Sequence, residues 1–220
     1  MIEIVIGEEL KKACPAMTLG CIQAQVTVKN SSSALWEEIQ QYCDVLTQEI
    51  PIEELAAVPK IKDGREVYKN LGKAPSKYRL SVEALIRRVL QGKGVYKINN
   101  VVEINNLISL KSKFAVGSYN IEHLQPPVSL LVGKAGQQYK GIGKELINIE
   151  NLPILTDAAG SFGSPTSDSE RAMITDTVKE IIMCIFSFSG QNDMEEYLQS
   201  AKELLARYAD GKNIETKIIG

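Results

Sequence analysis

The chain has 220 residues, 44% of them apolar and 24% charged, with a net charge of −2, proportions that belong to a globular protein and exclude a disordered or low-complexity polymer. No apolar run approaches the roughly 20 residues of a membrane-spanning helix; the longest is Ile181-Ile-Met-Cys-Ile-Phe186, and the start, Met1-Ile-Glu-Ile-Val-Ile, lacks the basic leader and cleavage site of a secretory signal. A cytoplasmic protein is therefore expected, and four irregularly spaced cysteines (Cys14, Cys21, Cys43, Cys184) with no C-x-x-C pair point to reduced, buried thiols and to neither a zinc site nor a disulfide frame; no cofactor is expected.

In chain order, residues 1–6 read as a strand and Glu8–Ala13 as a short helix, stopped because Cys14 precedes Pro15. Met17–Val28 reads as a second strand with Gly20 a candidate bulge. Asn30-Ser-Ser-Ser33 is a cap cluster for a helix over Ala34–Glu49, whose inner stripe of Leu35, Trp36, Ile39, Tyr42, Cys43 and Leu46 places Trp36 in the core. Two short helices are expected over Pro51–Ala57 and Ile61–Leu71, the second ended by Gly72.

The charge is unevenly spread. Between Pro59 and Lys97 eleven Lys or Arg stand against three acids, a net of +8, which leaves −10 for the remainder. Such a segment suits a polyanion, although the same residues also read as an ordinary solvated surface. Within it, Lys73, Lys77, Tyr78 and Arg79 interleave cations with an aromatic ring, and a helix opened by Ser81 turns Arg87 and Arg88 outward opposite Leu85, Ile86, Val89 and Leu90. Cations can hold a nucleic-acid backbone while a ring stacks on a base. These six residues are the candidate RNA-binding set.

Asn100 is the expected N-cap of the next helix, with Glu103 closing a capping box. Val101, Ile104 and Ile108 give it a buried stripe, and Asn105 and Ser109 fall on that same face. A buried polar group without a partner costs roughly 1–3 kcal/mol, so the pair either clasps the helix to a neighbouring segment or lines a polar pocket. Phe114–Asn120 follows as a strand and turn. Val128–Val132, Gln138–Ile142, Glu145–Ile149 and Leu152–Leu155 are strands, with glycines in their turns that do not match a phosphate loop. Asp157–Arg171 is a long hydroxyl-rich loop ending on an arginine. Val178–Phe188 is read as a strand for its β-branched content, Asp193–Tyr208 as an amphipathic helix, and Glu215–Ile219 as a last strand.

The segments Tyr78-Arg-Leu-Ser-Val-Glu-Ala-Leu-Ile-Arg-Arg-Val, Ile98-Asn-Asn-Val-Val-Glu-Ile-Asn-Asn, Val116-Gly-Ser-Tyr-Asn120 and Asp168-Ser-Glu-Arg-Ala-Met-Ile-Thr-Asp-Thr177, in that order, resemble the B3/B4 tRNA-binding domain of the phenylalanyl-tRNA synthetase beta chain, and most of all the stand-alone B3/B4 proteins. The resemblance implies an α+β fold, with mixed sheets in a sandwich-like core packed by helices, over one unit spanning 1–220, clearest in 61–210. It further implies tRNA as partner and an amino-acid moiety as the small ligand. In that family the domain edits tyrosine wrongly attached to phenylalanine tRNA. By position its histidine falls on Gly117 and its aspartate on Asn120, and its glutamate has no counterpart in Gly163-Ser-Pro-Thr-Ser167.

The candidate pocket lining is Asn105, Ser109, Gly117, Ser118, Tyr119, Asn120, Ser161, Thr166 and Arg171. No catalytic residue is assigned, and the lone His123 lies beyond the motif. Two functions remain open: an aminoacyl-tRNA deacylase acting in trans, and a non-catalytic module holding tRNA or an amino-acid-like ligand.

Overall fold

All 220 residues are described by a computed structural model. The strands are β1 (Ile4–Ile6), β2 (Thr18–Gln25), β3 (Ala115–Asn120), β4 (Val128–Val132), β5 (Gln138–Lys140), β6 (Leu146–Asn148), β7 (Pro153–Asp157), β8 (Gly160–Gly163), β9 (Glu180–Ser187) and β10 (Lys212–Ile219). The helices are α1 (Glu8–Ala13), α2 (Ser33–Glu49), α3 (Pro59–Asn70), α4 (Ser81–Leu90), α5 (Asn100–Ser112) and α6 (Met194–Tyr208). One sheet runs β1-β4-β7-β8 and a second β10-β2-β9-β3, with β5-β6 a separate hairpin. Only β1 and β4 pair in parallel, so the first sheet is mixed, whereas the second sheet and the hairpin are wholly antiparallel; the fold is α+β.

Strand β9 lies between β2 and β3 and is buried from Ile181 to Ser187, which explains its unbroken apolar run: both of its faces are covered. The same burial accounts for the poor alternation of β2. Gly20 makes no bulge there, since its register with Ile185 is continuous; a side chain at that position would collide with Met194 and Leu198 of α6. The bulge lies instead in β10, between Lys212 and Glu215. Tyr119 of β3 meets Phe162 of β8 edge-on with ring centroids 5.0 Å apart, joining the two sheets.

Several boundaries differ from the expected ones. Asn99, not Asn100, caps α5, its side chain accepting from the Val102 N–H at 3.0 Å, while Glu103 reaches back to the Ile98 N–H at 2.7 Å. Asn100 is engaged elsewhere: it accepts from the Lys29 N–H and donates to the Thr27 and Tyr208 carbonyls. Leu80 precedes α4 and Ser81 is its first helical residue, with the Ser81 N–H donating to the Pro165 carbonyl. Of Pro51–Ala57 only a 3-10 turn at Leu55–Ala57 forms, and α3 begins two residues before Ile61 with Pro59 in its first turn, where the missing N–H costs nothing. Trp36 is half-buried, with the Lys97 ammonium 4.8 Å above its ring. The loop after Asp157 contains β8 and a 3-10 turn at Glu170–Ala172. No helix is long and apolar enough to cross a membrane.

Candidate nucleic-acid interface

Helix α4 buries Val82, Ile86 and Val89 and, among them, the carboxylate of Glu83. One charged group in that stripe requires compensation. Arg65 of α3 supplies it, with Nη1 2.9 and 3.0 Å from the two carboxylate oxygens. Arg79 and Arg87 stand farther off, each with a nitrogen 3.8 Å from the same carboxylate, too long for a hydrogen bond. Because Arg65 already neutralises Glu83, the guanidiniums of Arg79 and Arg87 keep their charge and most of their donors for the outer side.

That outer side is a cavity of about 690 Å³ between α4 and α5, closed by β3, the segment 91–98 and the turn around Gly143. Its cations are Arg79, Arg87, Arg88, Lys93 and Lys144, and its wall holds no carboxylate, histidine or cysteine. Arg88 lies under the ring of Tyr96 at 3.8 Å, and Tyr96 is 56% exposed, so one face of the ring is backed by a cation and the other is open. Lys144 comes from a distant turn, placed here by the Gly141–Ser169 bridge and the Ile142 N–H bond to the Asp168 carbonyl.

Of the expected pocket residues, Asn105, Ser109 and Thr166 line this cavity, joined by Arg79, Arg87 and Arg88 from the expected RNA-binding set. Asn105 and Ser109 are also the clasp between helix and strand: Asn105 donates to the Val116 carbonyl and accepts from Ser118, and Ser109 donates to the Phe114 carbonyl. Both alternatives for that polar face are realised by the same two side chains. Asn106, Lys93, Tyr96 and Lys144 join this wall without a motif to mark them; the only signal for Lys93 and Tyr96 in the sequence is the local basic charge.

The other candidates lie elsewhere. Lys73 is buried and its ammonium bonds to Asn148 and to the Glu150 carbonyl, with burial lowering its pKa, so it faces inward and is unavailable to RNA. Tyr78 is half-buried beneath that same ammonium at 4.0 Å, and Lys77 is exposed near its edge. Arg171 is bound to Asp157, to the Gly160 carbonyl and to the His123 carbonyl, far from the cavity wall, and His123 is exposed beside it. Ser161 accepts from Gln137. Asn120 is buried and caps the turn at Glu122. Arg171 and Asn120 therefore do not converge on a pocket with Asn105.

Gly117 and Tyr119 belong to the interior. A Cβ on Gly117 would stand 2.7 Å from Tyr119 Cζ, and one on Gly163 would stand 2.5 Å from the same atom, so the phenol is clamped between two glycines. Its hydroxyl donates to Asp168 at 2.8 Å, and burial pushes its pKa well up. Asp168 also accepts from the Ser164 N–H. The side chain of Tyr68 bonds Thr166, and Tyr139 bonds Ser164 and Ser167, so phenols from three elements hold 164–168. No group of three or more metal-ligating side chains gathers anywhere in the protein.

Burial raises the Asp168 carboxyl to about 6, although Tyr119 and Ser164 donate to it. Between the ordinary carboxyl range and about 6 the folded chain thus binds more protons than the unfolded one, and stability falls as pH rises through that window. The expected loss is on the order of 2–3 kcal/mol. Asp168→Asn, which keeps an acceptor for Tyr119, is expected to remove most of this slope; urea unfolding of both proteins at pH 4.5 and pH 7 measures it, and parallel slopes would place the proton elsewhere.

A family model described as the B3/4 domain matches residues 63–215. Among solved structures, the crystal structure of an N-terminal fragment of the phenylalanyl-tRNA synthetase beta-subunit from Pyrococcus horikoshii superposes with a TM-score of 0.52 at 15% sequence identity, covering 97% of this chain and 50% of that one. The chain thus spans half the length of that fragment, with which it shares the fold. No curated protein sequence matches.

Proposed function

The chain belongs to the B3/4 domain family, and from that premise we propose that it binds the acceptor end of tRNA in the cavity between α4 and α5. The observation that carries this reading is the wall itself, five cations and no acid around one concavity, a field that concentrates a polyanion. Arg79, Arg87 and Arg88 would neutralise backbone phosphates, and the open face of Tyr96 would take a base. Asn105, Ser109 and Thr166 would then lie beside the terminal nucleotide and the amino acid it carries.

Deacylation in trans is the second reading. Guanidiniums beside an ester can stabilise the oxyanion that forms when water attacks it, and an aminoacyl ester needs little further activation. The wall nevertheless holds no imidazole, thiol or carboxylate to take the proton. The proton would have to pass to a hydroxyl of the substrate itself. Binding is therefore placed first.

One experiment tests both readings. Tyrosyl-tRNA made on phenylalanine tRNA, with a panel of other mischarged tRNAs, is titrated with the protein at several salt concentrations while ester loss is followed. Affinity is expected to fall steeply with salt, and Arg87→Ala to flatten the log–log slope by about 0.7–0.9, the value of one phosphate contact. Faster ester loss establishes the second reading as well; binding without it leaves a carrier module. Failure of every tRNA to bind at low salt overturns the proposal.

A further inference from the structure

The balance of charge in the cavity is more specific than a demand for RNA. Within a chain of nucleotides each diester link carries a single negative charge, and a cavity of about 690 Å³ admits only a short stretch of chain. Five cations line it, and the one buried acid behind them, Glu83, is already neutralised by Arg65. The one or two diester links that fit spread single charges along that wall, each with only two free oxygens. A terminal phosphomonoester carries close to two charges and three strongly accepting oxygens.

A second observation points the same way. Arg87 and Arg88 both belong to the cavity wall, and neither guanidinium is held by a hydrogen bond from within the protein: their Nε–H groups are buried without an acceptor, and Arg87 Nη2 stands 3.8 Å from Glu83. The terminal nitrogens are therefore the donors left to a ligand, and planar guanidinium forks suit phosphate in particular. Arg88 is also stacked under Tyr96, so a phosphate beside Arg88 places the nucleoside bearing it next to the exposed ring.

We infer that the cavity is a site for a terminal phosphomonoester on a nucleotide, recognised by Arg79, Arg87 and Arg88 with the adjoining base on Tyr96. The inference rests on the RNA-binding reading for its source of ligand, but it puts a phosphorylated end in the cavity in place of an aminoacylated one, which carries no phosphomonoester; the same chemistry is offered by an RNA end and by a free nucleoside monophosphate.

The test uses the whole protein and fluorescence anisotropy with a short single-stranded RNA made in four forms: 5′-phosphate, 3′-phosphate, both ends hydroxyl, and the phosphorylated form capped as its methyl ester. The phosphorylated RNA is expected to bind about ten- to a hundredfold more tightly than the hydroxyl form, the scale of one added charge-assisted contact. The methyl ester, similar in shape but one charge poorer, should lose most of that gain. Arg87→Ala should abolish the difference, and if that variant fails to fold, the methyl ester comparison on the native chain decides alone. Adenosine monophosphate, unlabelled, is the competing arm: displacement of the RNA at similar concentration assigns the site to free nucleotide, and weak displacement assigns it to an RNA end. Equal affinity for phosphate, ester and hydroxyl forms overturns the inference while leaving RNA binding intact. If no RNA binds but the nucleotide alone does, the tRNA reading falls and the phosphomonoester site stands.

Discussion

Gly117→His is expected to destabilise the protein by about 3 kcal/mol or more, above the usual range for an over-packed site. By position this substitution restores the histidine that the B3/B4 resemblance places there. The backbone is not the obstacle, because Gly117 has an ordinary strand conformation paired with Cys184. The obstacle is the Tyr119 phenol, two residues on and on the same face of β3, which occupies the volume a side chain would need. The ring has nowhere to retreat. Gly163 meets it from the other sheet, Phe162 packs against it edge-on, and Asp168 holds its hydroxyl.

The check is urea unfolding of Gly117→His, Tyr119→Ala and the double variant. Tyr119→Ala alone leaves a cavity worth about 3–5 kcal/mol. Because the imidazole then enters space the phenol has left, the double variant should cost clearly less than the sum of the two. Strict additivity, or a histidine variant as stable as the native chain, would mean that the clamp is not what excludes a side chain at 117. Grafting a proton acceptor into this domain therefore requires two changes.

Glu83→Ala should cost about 2–4 kcal/mol, by leaving Arg65 without its acid and removing the negative charge that separates it from Arg79 and Arg87. This cost lies slightly below that of breaking a fully buried pair, because Arg65, Arg79 and Arg87 have side chains 21%, 48% and 31% exposed and water screens part of their repulsion. Glu83→Gln keeps an acceptor for Arg65 and should cost roughly half as much on the same reasoning. Both are read by denaturant unfolding in low salt and again in 0.5 M salt. Repulsion among the arginines predicts that salt recovers part of the loss; a salt-independent loss would assign the effect to packing alone.

The sequence disclosed elements more readily than contacts. The buried stripe of α5 is legible because its apolar residues keep the helical period, and Asn105 and Ser109 stand out because they interrupt it. Which of two adjacent asparagines caps the helix was not legible. Asn99 and Asn100 are equally good caps, and the choice is made by Lys29, Thr27 and Tyr208, which engage Asn100 from distant parts of the chain. The hydroxyls around Arg171 in sequence suggest a place in the pocket, whereas Asp157 at the end of β7 holds it across the fold. Lys73 carries the charge of an RNA contact, but the Asn148 and Glu150 carbonyls turn it inward. Lys144 reaches the cavity through contacts of its turn with residues 167–169, a pairing no local pattern encodes.

The three tyrosines that hold 164–168 bear on the thermodynamics of occupancy. That segment supplies Thr166 to the cavity with its backbone already bound: the Ser164 N–H goes to Asp168, the Thr166 and Ser167 N–H groups to Ser164, and the Ser169 N–H to Phe162. Little configurational freedom is left there for a ligand to remove, so the ordering cost of association falls mainly on the ligand and on the opposite rim. That rim is built from the exposed Gln91–Lys93 turn and Tyr96. For the ligand proposed above, one side of the cavity would thus present a fixed template of size and hydrogen-bonding pattern, and the ordering of the other side would add to the cost of binding.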